Sequence, residues 1–193
     1  MIIKKRLDGY RIFQVSIILI CILLFLTGVI THQSKSIIIW LGLCRNDAMG
    51  WNMLTQNGQY WRWITYAFVH NNLNHIGSNM LGFWSLTELL RKSRTNLGVV
   101  CLVYFLSVLI GGFLQVCLGA SVSIGIGASA GIMSLVSLFL AVSINNSDTK
   151  NIKLFLIIIL AQIILDHIIP GVGWIAHLGG LITGFVMGII IKP

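Results

Sequence analysis

Six apolar stretches, at 12–31, 72–90, 97–118, 123–144, 153–169 and 174–191, take up most of this 193-residue chain. Crossing a bilayer as a helix takes about 20 residues of this kind. Lipid offers no partner to an exposed backbone N–H or C=O, so a chain built this way must satisfy its backbone within helices or a closed barrel. The expectation is an all-α membrane protein of six transmembrane helices. Charged residues make up 9% of the chain, against about 25% in a soluble domain. Too little chain remains for a soluble unit, so residues 1–193 read as one six-span membrane domain with a short cytoplasmic N-terminus of about residues 1–11.

Basic residues set the expected orientation. Lys4, Lys5, Arg6 and Arg11 precede the first span, and Arg91, Lys92 and Arg94 separate the second from the third. Lys150 and Lys153 separate the fourth from the fifth, and Lys192 follows the sixth, so ten of the thirteen basic residues fall on one side. Both termini are therefore expected in the cytoplasm, and the net charge of +8 reads as a topology signal facing anionic headgroups rather than as a nucleic-acid surface. The first span follows "MIIKKR" but is too long for a secretory signal core and lacks a small-residue cleavage site, so it reads as a retained anchor. Cys21, Cys101 and Cys117 fall inside spans and leave Cys44 alone outside, which makes no disulfide framework.

The outer connection from His32 to Asn71 is far longer than the others. It carries "GWNMLTQNGQYWRWITYAFVH", with Arg45, Asp47 and Arg62, and rings of this density favour the headgroup level. A partly helical segment lying in the outer interface is expected.

Polar side chains at membrane depth are costly and are functional candidates by default. The fourth span contains "GIGASAGIMS", in which Gly127 and Gly131 flank Ser129 with the G-x-x-x-G spacing of close helix contacts. The sixth reads "GWIAHLGGLITGFVMG", where Ala176, Gly180, Gly184 and Gly188 form one small-residue face beside His177. Both spans run inward from outside, so Ser129 and His177 lie at similar depth. A close seam can bring hydroxyl and imidazole into hydrogen-bond reach as a nucleophile–base pair. On the second span His75 and Asn79 are i and i+4 and share a face, where two donors could serve a tetrahedral oxyanion. Glu88, beside Arg91 at the inner end, needs no special role. Asp166 and His167 end the fifth span.

In these residues the chain resembles the rhomboid intramembrane serine proteases, from Trp61 to Gly188. "WR" at Trp61–Arg62 is similar to the family's loop motif, and "HNNLNHIGSN" to its H-x-x-x-N, with His70 resembling a further family histidine. "GASAG" matches G-x-S and "AHLGG" matches A-H-x-x-G. The resemblance implies a rhomboid-like bundle with a long interfacial first outer loop, Ser129 as nucleophile with Gly127 its companion, and His177 as base with Gly180 at the close helix contact. It places His75 and Asn79 on oxyanion stabilisation. The family's dyad implies that Asp166 is a local partner of His167 rather than a third catalytic member. Two positions depart from the pattern. Ala130 follows the serine where glycine is commoner, putting a methyl near the nucleophile, and Glu88 falls closer to Asn79 than the family's acidic residue.

The function expected is cleavage of membrane-protein substrates, within their transmembrane segments and near the outer leaflet, by a Ser-His dyad. No cofactor or metal is implied, and the expected setting is a bacterial plasma membrane, with an organellar membrane as the alternative. A zinc protease would need H-E-x-x-H, an aspartyl one two intramembrane aspartates, and a channel polar residues spread through the bilayer; none is present. The alternative is a catalytically inactive rhomboid-like protein that binds or escorts membrane proteins, to which only Ala130 lends weight.

Overall fold

Capping side chains and apolar runs divide the chain into helices much as expected. The computed structural model describes residues 8–46, 51–52, 58–120, 122–169, 171 and 173–191. Asp8 accepts the Arg11 N–H and starts α1 (Gly9–Ile30). Asn72 does the same through the His75 N–H for α4 (Leu73–Lys92), Asn96 through Gly98 for α5 (Leu97–Leu118), and Asp148 through Asn151 for α7 (Thr149–Ile168). Such caps satisfy N–H groups that a helix cannot satisfy itself. The remaining helices are α2 (Ser34–Leu41), α3 (Arg62–Thr65), α6 (Ser129–Asn145) and α8 (Trp174–Ile191). Of these eight, α1, α5, α7 and α8 are long and apolar enough to cross a membrane. The chain is a multi-pass integral membrane protein built as a helical bundle.

The structure departs from an all-helical reading in one place. Leu43–Asn46 (β1), Trp51–Asn52 (β2) and Val122–Gly125 (β3) form a small antiparallel sheet in the order β2-β1-β3. Leu43 pairs with Gly125 and Cys44 with Ile124. The helix expected from residue 123 therefore begins at Ser129. A short apolar run does not by its periodicity separate a buried strand from a buried helix, and the partner strand lies some 80 residues upstream. The outer connection is partly helical, through α2, α3 and a 3₁₀ turn at Tyr66–Phe68. Lys4, Lys5, Arg6, Asp47 and Lys192, and residues 53–57 of the aromatic stretch, lie outside the described residues.

Helix α6 is the bundle's axis, buried continuously from Ala130 to Ser143 apart from Met133. Its partner α8 approaches through glycines. A Cβ at Gly180 would fall on the Ala130 carbonyl, one at Gly184 on the Ser134 carbonyl, and one at Gly188 on the Ala141 methyl at 2.6 Å. On the next face a Cβ at Gly111 of α5 would lie 2.8 Å from the Ala176 carbonyl oxygen. The small-residue face read from the sequence is thus the α6–α8 seam. Gly131 does not serve the same purpose: the Tyr104 ring of α5 fills the space beside it. Elsewhere Gln14 of α1 donates to Thr87 of α4 at 2.8 Å, with both residues fully buried. Glu88 pairs with Arg91 and Arg11 at the end of the bundle expected to face inward.

Replacing Gly184 by valine is expected to destabilise the fold by about 1–3 kcal/mol or more through overpacking. Gly77 of α4 has open space around it, and its alanine variant is expected to stay within about 0.5 kcal/mol of the parent. Thermal melts of the two variants in one detergent check the contrast.

Candidate active site

Ser129 stands in the first turn of α6 because the chain cannot continue as helix before it. Gly127 has φ +104°, a conformation side chains rarely adopt. Its N–H donates to the Tyr66 carbonyl at 2.9 Å, and the Tyr66 hydroxyl donates to the Val108 carbonyl at 2.7 Å. Tyr66 thereby ties the outer connection, α5 and the approach to the serine together. In the sequence it stands out only as one of the interfacial rings.

Across the seam, His177 lies in the first turn of α8 and is 8% exposed. Its Nε2 is 2.7 Å from the Ser129 Oγ. The structure thus brings together the two residues paired from sequence. It corrects the reading of Asp166. The Asp166 Oδ2 lies 2.8 Å from His177 Nδ1, and Oδ1 accepts a 2.7 Å hydrogen bond from the Gln162 amide. His167 instead turns outward, its Nδ1 against the Ile163 carbonyl at 2.8 Å and its ring beside Trp174. Successive helical residues point about 100° apart, so when α7 folds back onto α8 only one of the two neighbours can face inward. Gln162 was missed; its place one turn before Asp166 was the available signal.

The opposite wall comes from α4. A Cβ on Gly127 would lie 2.6 Å from His75 Nε2 and 3.4 Å from Asn79 Nδ2, so both side chains border the turn that presents the serine. Asn79 is 7% exposed, and its Nδ2 has no hydrogen-bond partner among the described residues. His75 Nδ1 lies 3.0 Å from the Asn71 side-chain oxygen. The His70 ring packs edge-on against His75 with centroids 4.9 Å apart. Burial, with His75 alongside, pulls the His70 pKa down to about 4, so this ring is neutral at pH 7.

The structure does not bring Trp61 and Arg62 into this group. The buried Arg62 guanidinium donates to the carbonyls of Ile39 and Gly42 and to the Gln59 side chain. Trp61 stacks on Trp40 and donates to its carbonyl. Together with Thr65, which donates to Leu41, they bind α3 to α2 and the start of β1. Gly180 belongs to the seam, and the Ala130 methyl faces Gly111 of α5, where a Cβ would come within 3.1 Å of it. Among the described residues no cluster of His, Cys, Asp or Glu could hold a metal ion.

Comparison with known proteins bears on this arrangement. Rhomboid protease GlpG of Klebsiella pneumoniae is 29% identical over 103 residues, 53% of this chain and 34% of its own length. RHOMBOID-like protein 6, mitochondrial, of Arabidopsis thaliana is 29% identical over 149 residues, 75% of this chain and 48% of its own. Putative rhomboid protease YdcA of Bacillus subtilis is 22% identical over 164 residues, 81% of this chain and 78% of its own. The match thus spans about a third of the GlpG relative's length. The rhomboid domain itself matches residues 57–193, the stretch that holds the hydroxyl, both walls and the seam, and the chain belongs to the rhomboid family.

Proposed function

We propose that this chain is an intramembrane serine endopeptidase in which Ser129 and His177 form the catalytic pair. The observation that carries the reading is the 2.7 Å contact between His177 Nε2 and Ser129 Oγ across the glycine seam. Ser129 Oγ attacks the scissile carbonyl as His177 takes its proton, and His177 then returns that proton to the leaving amine. Water repeats the cycle on the acyl-enzyme. The tetrahedral oxyanion is held by the Ser129 N–H, one of the first-turn donors a helix leaves free, by the Asn79 amide and by His75. For His75 Nε2 to donate, its proton must sit on Nε2, which follows when the Asn71 amide turns its NH₂ toward Nδ1.

The protein crosses the membrane six times, through α1 and α4 to α8, with both termini in the cytoplasm and the site near the outer leaflet of a bacterial plasma membrane. Helical substrates shield their own carbonyls, so membrane-protein segments with small or helix-weakening residues near the outer boundary are preferred. The inactive, escorting alternative drew on Ala130. Its methyl packs into the α5 seam against Gly111, and no other observation favours that reading.

Fluorophosphonate labelling in detergent tests the proposal. The parent is expected to take the label, and Ser129→Ala and His177→Ala are expected to take none while melting normally. A folded parent without label overturns the reading. Removing one oxyanion donor typically costs about 100- to 1,000-fold in rate, and Asn79→Ala is expected to cleave a transmembrane reporter substrate that much more slowly. Because the Asn79 Nδ2 has no hydrogen-bond partner among the described residues, the melting temperature of the variant is expected to hold.

A further inference from the structure

Helix α7 is the least enclosed of the long helices, and among its described side chains only Phe155 and Asp166 are buried. An aspartate on such a helix is expensive in a membrane. Asp166 is 7% exposed, and both of its oxygens are engaged: Oδ2 with His177 Nδ1 at 2.8 Å, Oδ1 with the Gln162 amide at 2.7 Å. On the same imidazole, Nε2 faces Ser129 Oγ at 2.7 Å. Four side chains from three helices thus form one line, Gln162–Asp166–His177–Ser129.

Gln162 is a neutral amide, so it aims the carboxylate without cancelling its charge. The Asp166 carboxylate faces His177, and the two become an ion pair only when the ring is protonated. A carboxylate at Nδ1 keeps the proton on that nitrogen and leaves Nε2 bare to accept from a hydroxyl. When His177 takes the Ser129 proton it becomes an imidazolium, and the carboxylate meets a full positive charge that is absent before transfer. Stabilisation that grows on the way to the transition state accelerates the step. Beside the pair, Ile163, Trp174, Leu178 and Leu181, with the His167 ring, line a mostly apolar cleft that reaches Asp166, and in such surroundings the attraction is screened less than in water. His75 on α4 is within electrostatic reach of His177, and the His167 ring lies at the cleft beside Asp166.

We infer that Asp166, aimed by Gln162, is a positioning residue that orients His177 and stabilises its protonated form, so that this chain works through a Ser-His-Asp line. The proton moves from Ser129 Oγ to His177 Nε2 and on to the leaving amine, the Nδ1 proton stays on His177, and no proton passes to Asp166. The inference rests on Ser129 being the nucleophile. The competing role for Asp166 is a lock that merely fastens α7 to α8.

The test is the rate of fluorophosphonate labelling of the full chain in detergent, measured from pH 5 to 9 for the parent, Asp166→Asn and Asp166→Glu. Loss of the corresponding carboxylate in serine hydrolases costs on the order of 10⁴ in kcat. Asp166→Asn is expected to label at least about 100-fold more slowly at pH 7, with the acid limb of its pH profile moved to lower pH, and Asp166→Glu to recover part of the rate. An Asn variant that labels within about threefold of the parent, with an unmoved acid limb, makes Asp166 a lock and overturns this inference alone. A parent that takes no label overturns the nucleophile reading and this one with it. Should Asp166→Asn fail to fold, the histidine ¹⁵N spectrum of the unsubstituted protein decides, with His177 assigned by its loss in His177→Ala. A proton on Nδ1 at pH 8 supports the inference, and a proton on Nε2 overturns it.

Discussion

A methyl group at Gly180 or Gly184 would collide with the carbonyl oxygens of Ala130 and Ser134 on the facing helix. Because there is no methyl, the backbones of α6 and α8 meet directly, and that contact sets the distance between Ser129 and His177. Lipid tails are as apolar as leucine, so helices in a membrane gain little from hydrophobic association and hold together through close packing and polar contacts. Here the glycine seam supplies the packing. Buried serines supply polar contacts on the adjoining face, where the Ser107 and Ser134 hydroxyls lie 3.0 Å apart between α5 and α6. A wider seam would leave His177 out of reach of Ser129, whatever the rotamers.

The second requirement is a break in the helix just ahead of the serine. β3 pairs with β1, Gly127 turns through a positive φ, and Tyr66 takes the Gly127 N–H. Ser129 is thereby placed at a helix start, where free N–H groups and the positive end of the helix dipole favour a developing negative charge. The anchoring of β1 falls to Arg62, Trp61 and Thr65, which hold α2 and the carbonyls up to Gly42. The loop motif therefore acts at a distance, by holding the strand that breaks the helix. His75 and Asn79 complete the wall because a four-residue spacing puts both on the same face of α4.

Much of this was legible in the residues. Apolar length marked α1, α5, α7 and α8, the four-residue glycine period marked the seam, and rare polar groups in apolar surroundings marked Ser129, His177, His75 and Asn79. Three features were not legible, each for a physical reason. The strand at 122–125 depends on a partner remote in sequence. Gly127 and Gly131 share a spacing but not a role, since one makes a turn and the other makes room for Tyr104. Asp166 and His167 are neighbours in the chain, so composition could not say which of them faces inward.

The sequence by itself determined that the chain lives in a membrane as a helical bundle, that two of its helices would meet closely, and which side chains were available for chemistry, because composition and periodicity are local and lipid penalises unpaired polar groups. Only the tertiary structure decided that the serine begins a helix rather than sitting inside one, that Trp61 and Arg62 brace a loop, and that Asp166 faces His177. Those outcomes depend on how helices are rotated and how distant segments pair, and rotation about a helix axis is settled by what packs against it.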